Sequence, residues 1–181
     1  LMLCGVESQL REKYRDDVQV CCRPWQGHTE SYRLLGNRNI LQLGYLTYKG
    51  IRLDGLFNCL PLKITETFGI ARAKDVDVVL DASGLRYSDS WGPKASRAAA
   101  LRYGKLKKRG KKIIILPQAF GPFKNPEVGS AVREIVELSD LCFARDEVSY
   151  CHLVELYGED VKIQQAPDFT NLVEPISAFD G

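Results

Sequence analysis

The sequence has little of what marks several large classes of protein. Its 181 residues carry a net charge of only +2 and include two histidines and one methionine. So small a net charge gives no argument for nucleic acid or an anionic membrane surface as a partner, and we expect neither nucleic acid as a partner nor a membrane span. No apolar run approaches the ~20 residues that span a bilayer, and no signal peptide is visible at the start. We therefore expect a cytoplasmic globular protein.

Metal and redox motifs are also missing. The six cysteines include no Cys-x-x-Cys pair, and no histidine lies at metal-ligand spacing from them. Buried, reduced thiols of a cytosolic protein therefore explain the cysteines. No Gly-x-Gly-x-x-Gly follows a predicted strand, which disfavours a dinucleotide-dependent oxidoreductase. We expect neither a metal nor a cofactor.

What is present is an alternation of apolar runs and amphipathic segments. Buried strands are predicted at residues 77–80, 112–116, 141–144 and 161–163. The segments between them have helical periodicity. Asn125 and Asp146 are the N-caps of the second and third helix, and Gly110 and Gly158 end the first and third. The basic run at 105–112 is interpreted as the solvated end of the first helix rather than as a polyanion site.

The front of the chain begins on a helix. Leu3, Val6 and Leu10 recur at helical spacing, and residues 18–22 predict a strand. Residues 24–64 hold several turn signals and receive no assignment. A segment of this length usually contains short elements or faces a ligand.

Strands separated by helices predict right-handed crossovers and a largely parallel sheet. We therefore expect an α/β protein with a Rossmann-like, doubly wound sheet. Because the first element is a helix, we expect the strand before it to be missing. We assign residues 1–173 to this domain and residues 174–181 to the start of a linker to a second domain that the chain lacks.

The 117–123 segment is the most informative stretch of the chain. It follows a predicted buried strand and precedes the helix that begins at Pro126. A glycine-proline turn there lies at the carboxyl end of a sheet strand, where open α/β folds bind their ligands. We therefore expect the function to reside beside this turn.

Four motifs resemble the signature series of the polysaccharide pyruvyl transferase family. They are Asp77-Val78-Val79-Leu80-Asp81-Ala82-Ser83-Gly84, Gln118-Ala119-Phe120-Gly121-Pro122-Phe123, Arg145-Asp146-Glu147-Val148-Ser149 and Ala166-Pro167-Asp168. Gln-x-x-Gly-Pro and Arg-Asp-x-x-Ser are the specific part, and the spacing between the motifs also fits. The resemblance covers roughly residues 75–170. The sequence departs from the family at 82–84, where the family often has a glycine-rich turn.

The resemblance implies the N-terminal half of a glycosyltransferase-B-like protein. Such a protein transfers a pyruvyl group from phosphoenolpyruvate to a sugar of a cell-surface polysaccharide, so phosphoenolpyruvate and a saccharide acceptor are its expected partners. The implied substrate-binding residues are Arg145, Gln118, Asp81, Ser83, Gly84, Gly121 and Asp168. The family's basic and histidine residues for phosphoenolpyruvate are concentrated in a second half that this sequence lacks. We therefore expect the chain alone to be inactive.

Several of these residues also have a plainer interpretation. Arg145 lies at a strand end before a capped helix, which suits an anion, but it is also placed to pair with Asp146. Gln118 would bond a substrate or order the turn that Gly121 shapes. Asp81 would orient a sugar hydroxyl, act as a base or cap the following segment.

Three further positions remain open. Asp168, at the end of the last predicted strand, has the same alternatives as Asp81. His152 lies within a predicted helix and is expected to be a surface residue or to fill space in the protein core. His28 lies in the unassigned segment and could face the crevice. Neither histidine is assigned a catalytic role.

Two other functions fit the same pattern. A nucleotide-sugar glycosyltransferase shares the architecture, and a nucleotide-binding carboxylate in the second half would mark it. A Rossmann-like binding module without catalysis would bind sugar and not turn over phosphoenolpyruvate. The apolar face expected where a strand and a second domain are missing also predicts self-association into a homo-oligomer.

Overall fold

The computed structural model describes residues 2–23, 40–44, 47–48, 51–52 and 54–168. The chain divides into two compact units, one comprising Glu7–Asp77 and the other Leu1–Val6 with Val78–Gly181. Each unit combines helical segments with a parallel sheet. The α/β class and the Rossmann-like, doubly wound fold predicted from the sequence are thus confirmed. The predicted linker at 174–181 lies outside the described residues.

The unit Glu7–Asp77 is built on short strands. Its elements are most of α1 (Met2–Tyr14), β1 (Cys21–Cys22), β2 (Leu41–Leu43), β3 (Thr47–Tyr48), β4 (Ile51–Arg52), α2 (Leu62–Thr67) and β5 (Ile70–Ala71). Strands β1, β2 and β5 form a parallel sheet in that order, and β3 pairs antiparallel with β4. The predicted front helix is confirmed, but the strand expected over 18–22 is limited to its last two residues. Short elements do occupy the described part of 24–64.

The other unit carries the predicted motifs. Its elements are β6 (Val78–Asp81), α3 (Gly92–Lys107), β7 (Lys112–Gln118), α4 (Pro126–Leu138), β8 (Leu141–Ala144), α5 (Glu147–Tyr157) and β9 (Ile163–Gln165). The four strands are parallel and lie side by side in chain order. Helix α3 packs along α4 and against β7, and α5 packs against β8 and β9. All four strands therefore end at the same edge of the sheet.

The core of this unit lies between the sheet and its helices. Ile113 and Ile115 of β7 are fully buried. Helix α4 contributes residues at helical spacing, namely Val128, Val132, Ile135 and Val136, all fully buried. Burying a side chain of this size stabilises the fold by about 1.5–3 kcal/mol. A well-packed core thus fixes the positions of the strand ends.

The predicted helix ends of this unit are confirmed. The Asn125 side chain accepts a hydrogen bond from the Glu127 N–H at 2.9 Å and begins α4. The Asp146 side chain accepts from the Ser149 N–H at 2.8 Å and begins α5. Gly158 ends α5 with a φ of 100°, a conformation that glycine adopts without strain.

The strand expected at 112–116 is longer in the structure. It continues through Pro117 to Gln118, because pairing with β8 resumes at Gln118 after an irregularity that follows Ile115. Between the pairs Ile115–Cys142 and Gln118–Ala144, β7 has two residues and β8 has one, which is the arrangement of a β-bulge. The extra residue places Gln118 on the buried side with Ile113 and Ile115. A regular alternation would have placed Pro117 there instead.

The last strand was predicted too early. Residues 161 and 162 form a turn, and β9 begins only at Ile163. The Asp160 carboxylate accepts the Lys162 N–H at 3.0 Å, and the Asp160 carbonyl accepts the Ile163 N–H at 2.9 Å. These bonds make a turn out of an apolar run, and Val161 is consequently 89% exposed.

The cysteines only partly match the expectation of buried thiols. Cys142 is fully buried, and burial raises the pKa of its thiol to about 12. Cys21 and Cys22 are half-buried, whereas Cys59 and Cys151 are exposed, and all five are free thiols. The prediction was therefore wrong for the last two.

The basic run at 105–112 is the end of a helix, as predicted. Its Lys107 pairs with Asp140 at 2.9 Å, and Asp140 also accepts the Ile113 N–H at 2.7 Å. The Asp140 side chain thereby ties the end of α3 to the start of β7. This contact lies at the amino ends of the strands, away from the predicted site.

Candidate functional site

The predicted site residues lie along the carboxyl edge of the four-stranded sheet. Asp81 ends β6 and Gln118 ends β7. Arg145 directly follows β8, and Asp168 lies three residues after β9. Because the strands are parallel neighbours, the structure brings these four positions to one edge.

Backbone hydrogen bonds connect the segments at this edge. We refer to residues 83–87 as the β6 loop and to residues 118–123 as the 118–123 turn. The carbonyl of Gly84 accepts the Ala119 N–H at 3.0 Å, and the carbonyl of Tyr87 accepts the Gly121 N–H at 3.0 Å. The Gln118 carbonyl accepts the N–H of Arg145 at 3.1 Å. The predicted glycines thus lie where the β6 loop and the turn meet.

Arg145 is held between two carboxylates. Its Nε lies 3.4 Å from Asp146 Oδ2, and its Nη1 lies 3.6 Å from Asp168 Oδ2. The pairing with Asp146 that the sequence left open is therefore present, and Asp168 joins it. About a third of the Arg145 side chain, 34%, remains exposed. The side chain is consequently partly accessible beside the N-terminus of α5.

The Arg-Asp-x-x-Ser motif organises that first turn. The bond from the Ser149 N–H, together with the charge of Arg145, holds the pKa of the Asp146 carboxyl below its ordinary value. The Ser149 side chain is buried, and its Oγ accepts the N–H of Phe120 at 3.1 Å. The motif therefore both caps α5 and fastens the 118–123 turn to it.

Asp81 is the centre of a largely buried cluster of hydrogen bonds. Its Oδ1 accepts the N–H of Ser83 at 2.9 Å and also the Ser83 hydroxyl. Its Oδ2 accepts the Tyr87 hydroxyl at 2.6 Å and the Tyr103 hydroxyl. The two phenolic oxygens lie 3.0 Å apart. Four donors thus converge on one carboxylate.

The ionisation of this cluster follows from its contacts. Burial alone would raise the pKa of the Asp81 carboxyl, but the hydrogen bonds that it accepts and the charge of Arg102 outweigh burial, so the pKa lies below its ordinary value. Burial, and then the charge of Asp81, raise the pKa of both tyrosine phenols. The cluster is therefore an ionised carboxylate with neutral donors. These contacts favour the capping role of Asp81 over that of a base.

Gln118 is fully buried, and neither its amide nitrogen nor its amide oxygen has a hydrogen-bond partner. Leaving a buried polar group without a partner costs about 1–3 kcal/mol. The β-bulge explains how a polar side chain comes to face inward at this point. The side chain is therefore inside the protein rather than on its surface.

The structure also assigns a place to His152 that the sequence did not indicate. A Cβ added to Gly121 would lie only 2.6 Å from His152 Cδ2, so the imidazole packs directly on this glycine. The His152 ring meets Phe123 edge-on, and its Nδ1 lies 3.9 Å from Glu155 Oε2. The sequence gives no signal for this contact, because α5 and the turn are brought together only by the tertiary structure. His28 lies outside the described residues.

The described residues hold neither a cluster of metal ligands nor a membrane-spanning helix. The described part of the chain contains no group of three or more histidine, cysteine, aspartate or glutamate side chains that could hold a metal ion. None of its helices has the length and apolar character needed to cross a membrane.

Comparison with known proteins identifies a family. A model of the polysaccharide pyruvyl transferase family matches residues 1–179. A comparison with curated proteins found no significant match, and neither did one with solved structures. The family match includes all four motifs that meet at the carboxyl edge of the sheet. The chain therefore belongs to the polysaccharide pyruvyl transferase family.

Proposed function

We propose that this protein transfers a pyruvyl group from phosphoenolpyruvate to a sugar of a cell-surface polysaccharide, with Arg145 binding the anionic donor. Family membership implies a transferase with a saccharide acceptor. The observation that carries the donor assignment is the partly exposed Arg145 side chain, which lies next to Asp146, the N-cap of α5. A guanidinium beside a helix N-terminus favours a carboxylate or a phosphate as ligand.

Pyruvyl transfer makes distinct demands on a site. The methylene carbon of phosphoenolpyruvate takes up a proton, sugar hydroxyls attack the cationic C2, and phosphate leaves as the ketal forms. Donor and leaving group are anionic throughout. Arg145 supplies the positive end of this interaction, together with the first-turn N–H groups of α5 other than that of Ser149, which Asp146 already accepts.

The carboxylates beside Arg145 are consistent with a ligand that displaces them. Both ion-pair distances, 3.4 and 3.6 Å, exceed the ~2.7–2.9 Å of a strong charge-assisted hydrogen bond. Asp146 and Asp168 therefore orient the guanidinium without saturating its donors. A phosphate or carboxylate that approaches closely would make the shorter and stronger contacts.

Calorimetry with phosphoenolpyruvate tests the donor assignment. We expect Arg145→Ala to weaken binding by about tenfold or more, because a hydrogen bond to a charged group contributes about 1.5–3 kcal/mol. Arg109→Ala is the matched control, since Arg109 is an exposed arginine in the turn before β7, at the opposite end of the sheet. Measurements at one fixed, modest ionic strength keep the screening of charges constant.

Turnover separates the proposal from the alternatives. With a saccharide acceptor, the release of phosphate and a new ketal methyl signal in the product are expected. Binding of phosphoenolpyruvate that Arg145→Ala leaves unchanged would contradict the assigned anion site. Absence of any binding by the intact protein, together with binding of a nucleotide sugar, would favour a glycosyltransferase.

A further inference from the structure

A continuous set of contacts leads from Asp81 to the 118–123 turn. Tyr87 binds Asp81 through its hydroxyl, at 2.6 Å, and binds the turn through its backbone carbonyl, at 3.0 Å from the Gly121 nitrogen. Its ring also stacks on Phe120, with the centroids 5.8 Å apart and the planes inclined by 14°. The same residue is thus held by the carboxylate on one side and supports the turn on the other.

The turn is connected onward to the helix beside Arg145. The Phe120 N–H donates to Ser149 Oγ at 3.1 Å, and the Ser149 N–H donates to Asp146 Oδ1 at 2.8 Å. Asp146 in turn contacts the Arg145 guanidinium. The same turn also contacts the backbone of Arg145, because the Arg145 N–H donates to the Gln118 carbonyl at 3.1 Å.

We propose that Asp81, Tyr87 and Tyr103 form a positioning site for Arg145. This positioning site acts through the 118–123 turn rather than by contact with substrate. The proposal takes the anion-binding role of Arg145 from the proposed function. Asp81 already accepts bonds from Ser83 and both phenols. Its acceptor sites are directed at the protein, so it reaches the donor site only through the residues that it orders.

Sequence position and register explain how the cluster assembles. Asp81 pairs in register with Ile115 in the parallel ladder, so both side chains lie on the same face of the sheet. That face is covered by α3, from which Tyr103 reaches Asp81. A carboxylate at the end of an edge strand is thereby fixed by a helix as well as by its own loop.

Tyr103→Phe is the decisive variant. It removes one hydroxyl donor to Asp81 and leaves the ring in the core. Tyr157→Phe is the matched control, because the Tyr157 hydroxyl also has a partner, Lys162 Nζ at 2.9 Å, but lies at the far end of α5. We expect Tyr103→Phe to raise the Kd and KM for phosphoenolpyruvate by about fivefold or more, the usual scale of coupling between sites, and the control to leave both unchanged.

A readout without ligand keeps this test separate from the proposed function. Amide hydrogen exchange in the free protein reports the Phe120 and Ser149 N–H bonds directly. We expect Tyr103→Phe to accelerate exchange at both amides, and Tyr157→Phe to leave them as in the wild type. If the wild type fails to bind phosphoenolpyruvate, the proposed function fails, while the exchange rates still decide the positioning role.

A double-mutant cycle with Ser149→Ala tests the route. If the effect passes through the Phe120–Ser149 bond, the loss of affinity in Tyr103→Phe/Ser149→Ala should be smaller than the two single losses combined. A Tyr103→Phe variant that is only less heat-stable, with affinity and exchange at these amides equal to those of the control, would overturn the proposal.

Discussion

At the scale of single residues, Gly121 combines two separable constraints. Its φ is 76°, and a Cβ would lie 2.6 Å from His152 Cδ2. We expect Gly121→Ala to lose about 1–2 kcal/mol for the left-handed backbone and about 1–3 kcal/mol more for the contact. Urea unfolding of the variant measures the sum.

A second glycine separates the two costs. Gly110 has a similar φ of 71°, and nothing lies within 4 Å of its added Cβ. Gly110→Ala should therefore show the backbone cost alone. His152→Ala should restore part of the stability of Gly121→Ala. Equal losses for both glycine variants would contradict the close packing of His152 on the turn.

The buried tyrosines predict a dependence of stability on alkaline pH. Burial raises the pKa of Tyr103 in the folded state, whereas an unfolded tyrosine titrates near a pKa of ~10. Below that pH both states hold the proton, and above it only the unfolded state loses it, so the stability falls as the pH rises. We expect Tyr103→Phe to remove about 1.4 kcal/mol per pH unit from this slope.

Asp81 predicts a dependence of stability on pH in the opposite direction, with the stability falling as the pH falls into the acid range. Its pKa is lowered in the folded state, so its contribution is present above the unfolded pKa of ~4 and is lost as the pH falls. Asp81→Asn should therefore be less stable at neutral pH and less sensitive to acid. Urea midpoints measured from pH 3 to pH 11, for both variants and the wild type, check the two signs. Parallel curves would contradict the ionised cluster.

The surroundings of single residues could not all be predicted from the sequence, because they depend on contacts between distant parts of the chain. The family resemblance implies that both Asp81 and Gln118 bind substrate, but in the structure Asp81 is saturated with donors and Gln118 is buried without a partner. The difference depends on Tyr103, which lies 22 positions away along the chain, and on a bulge in β7. Neither the contact nor the bulge has a signal in the local pattern.

At the scale of elements, the N-cap of α5 carries a testable share of the stability. Asp146→Ala should cost about 0.5–2 kcal/mol, because an orphan N–H of the first turn loses its acceptor. Asp146→Asn should cost much less, since an asparagine side chain caps about as well. Asn125→Ala at α4 is the matched cap, and urea unfolding measures all three. Equal losses in Asp146→Asn and Asp146→Ala would indicate that charge, not capping, is the dominant role.

The elements that were predicted well are those with local causes. A cap residue, a helical period and a final glycine determined the start of α4 and both ends of α5, since these signals act within a few residues. Strand limits were less accurate, and both β7 and β9 differ from the prediction. A strand ends where its neighbour stops pairing with it, and that neighbour is distant in the sequence.

At the scale of the whole molecule, the self-association expected from the sequence stays a prediction. Light scattering over a wide range of protein concentration measures it directly. We expect the average mass to rise with concentration, because exposed apolar surface drives association. A constant monomer mass would contradict this. The cytoplasmic location and the division into residues 1–173 and 174–181 also stay predictions.

The sequence by itself determined the α/β class, the family and the residues that meet at the carboxyl edge, because strand period, caps and motif order are local properties of the chain. Tertiary structure alone decided which of those residues are accessible. Arg145 remains partly exposed between two carboxylates, whereas Asp81 is bound by two tyrosines and Gln118 is buried. The physical reason is that burial and hydrogen-bond partners come from other elements, brought there by the register of parallel strands and the packing of α3 and α5.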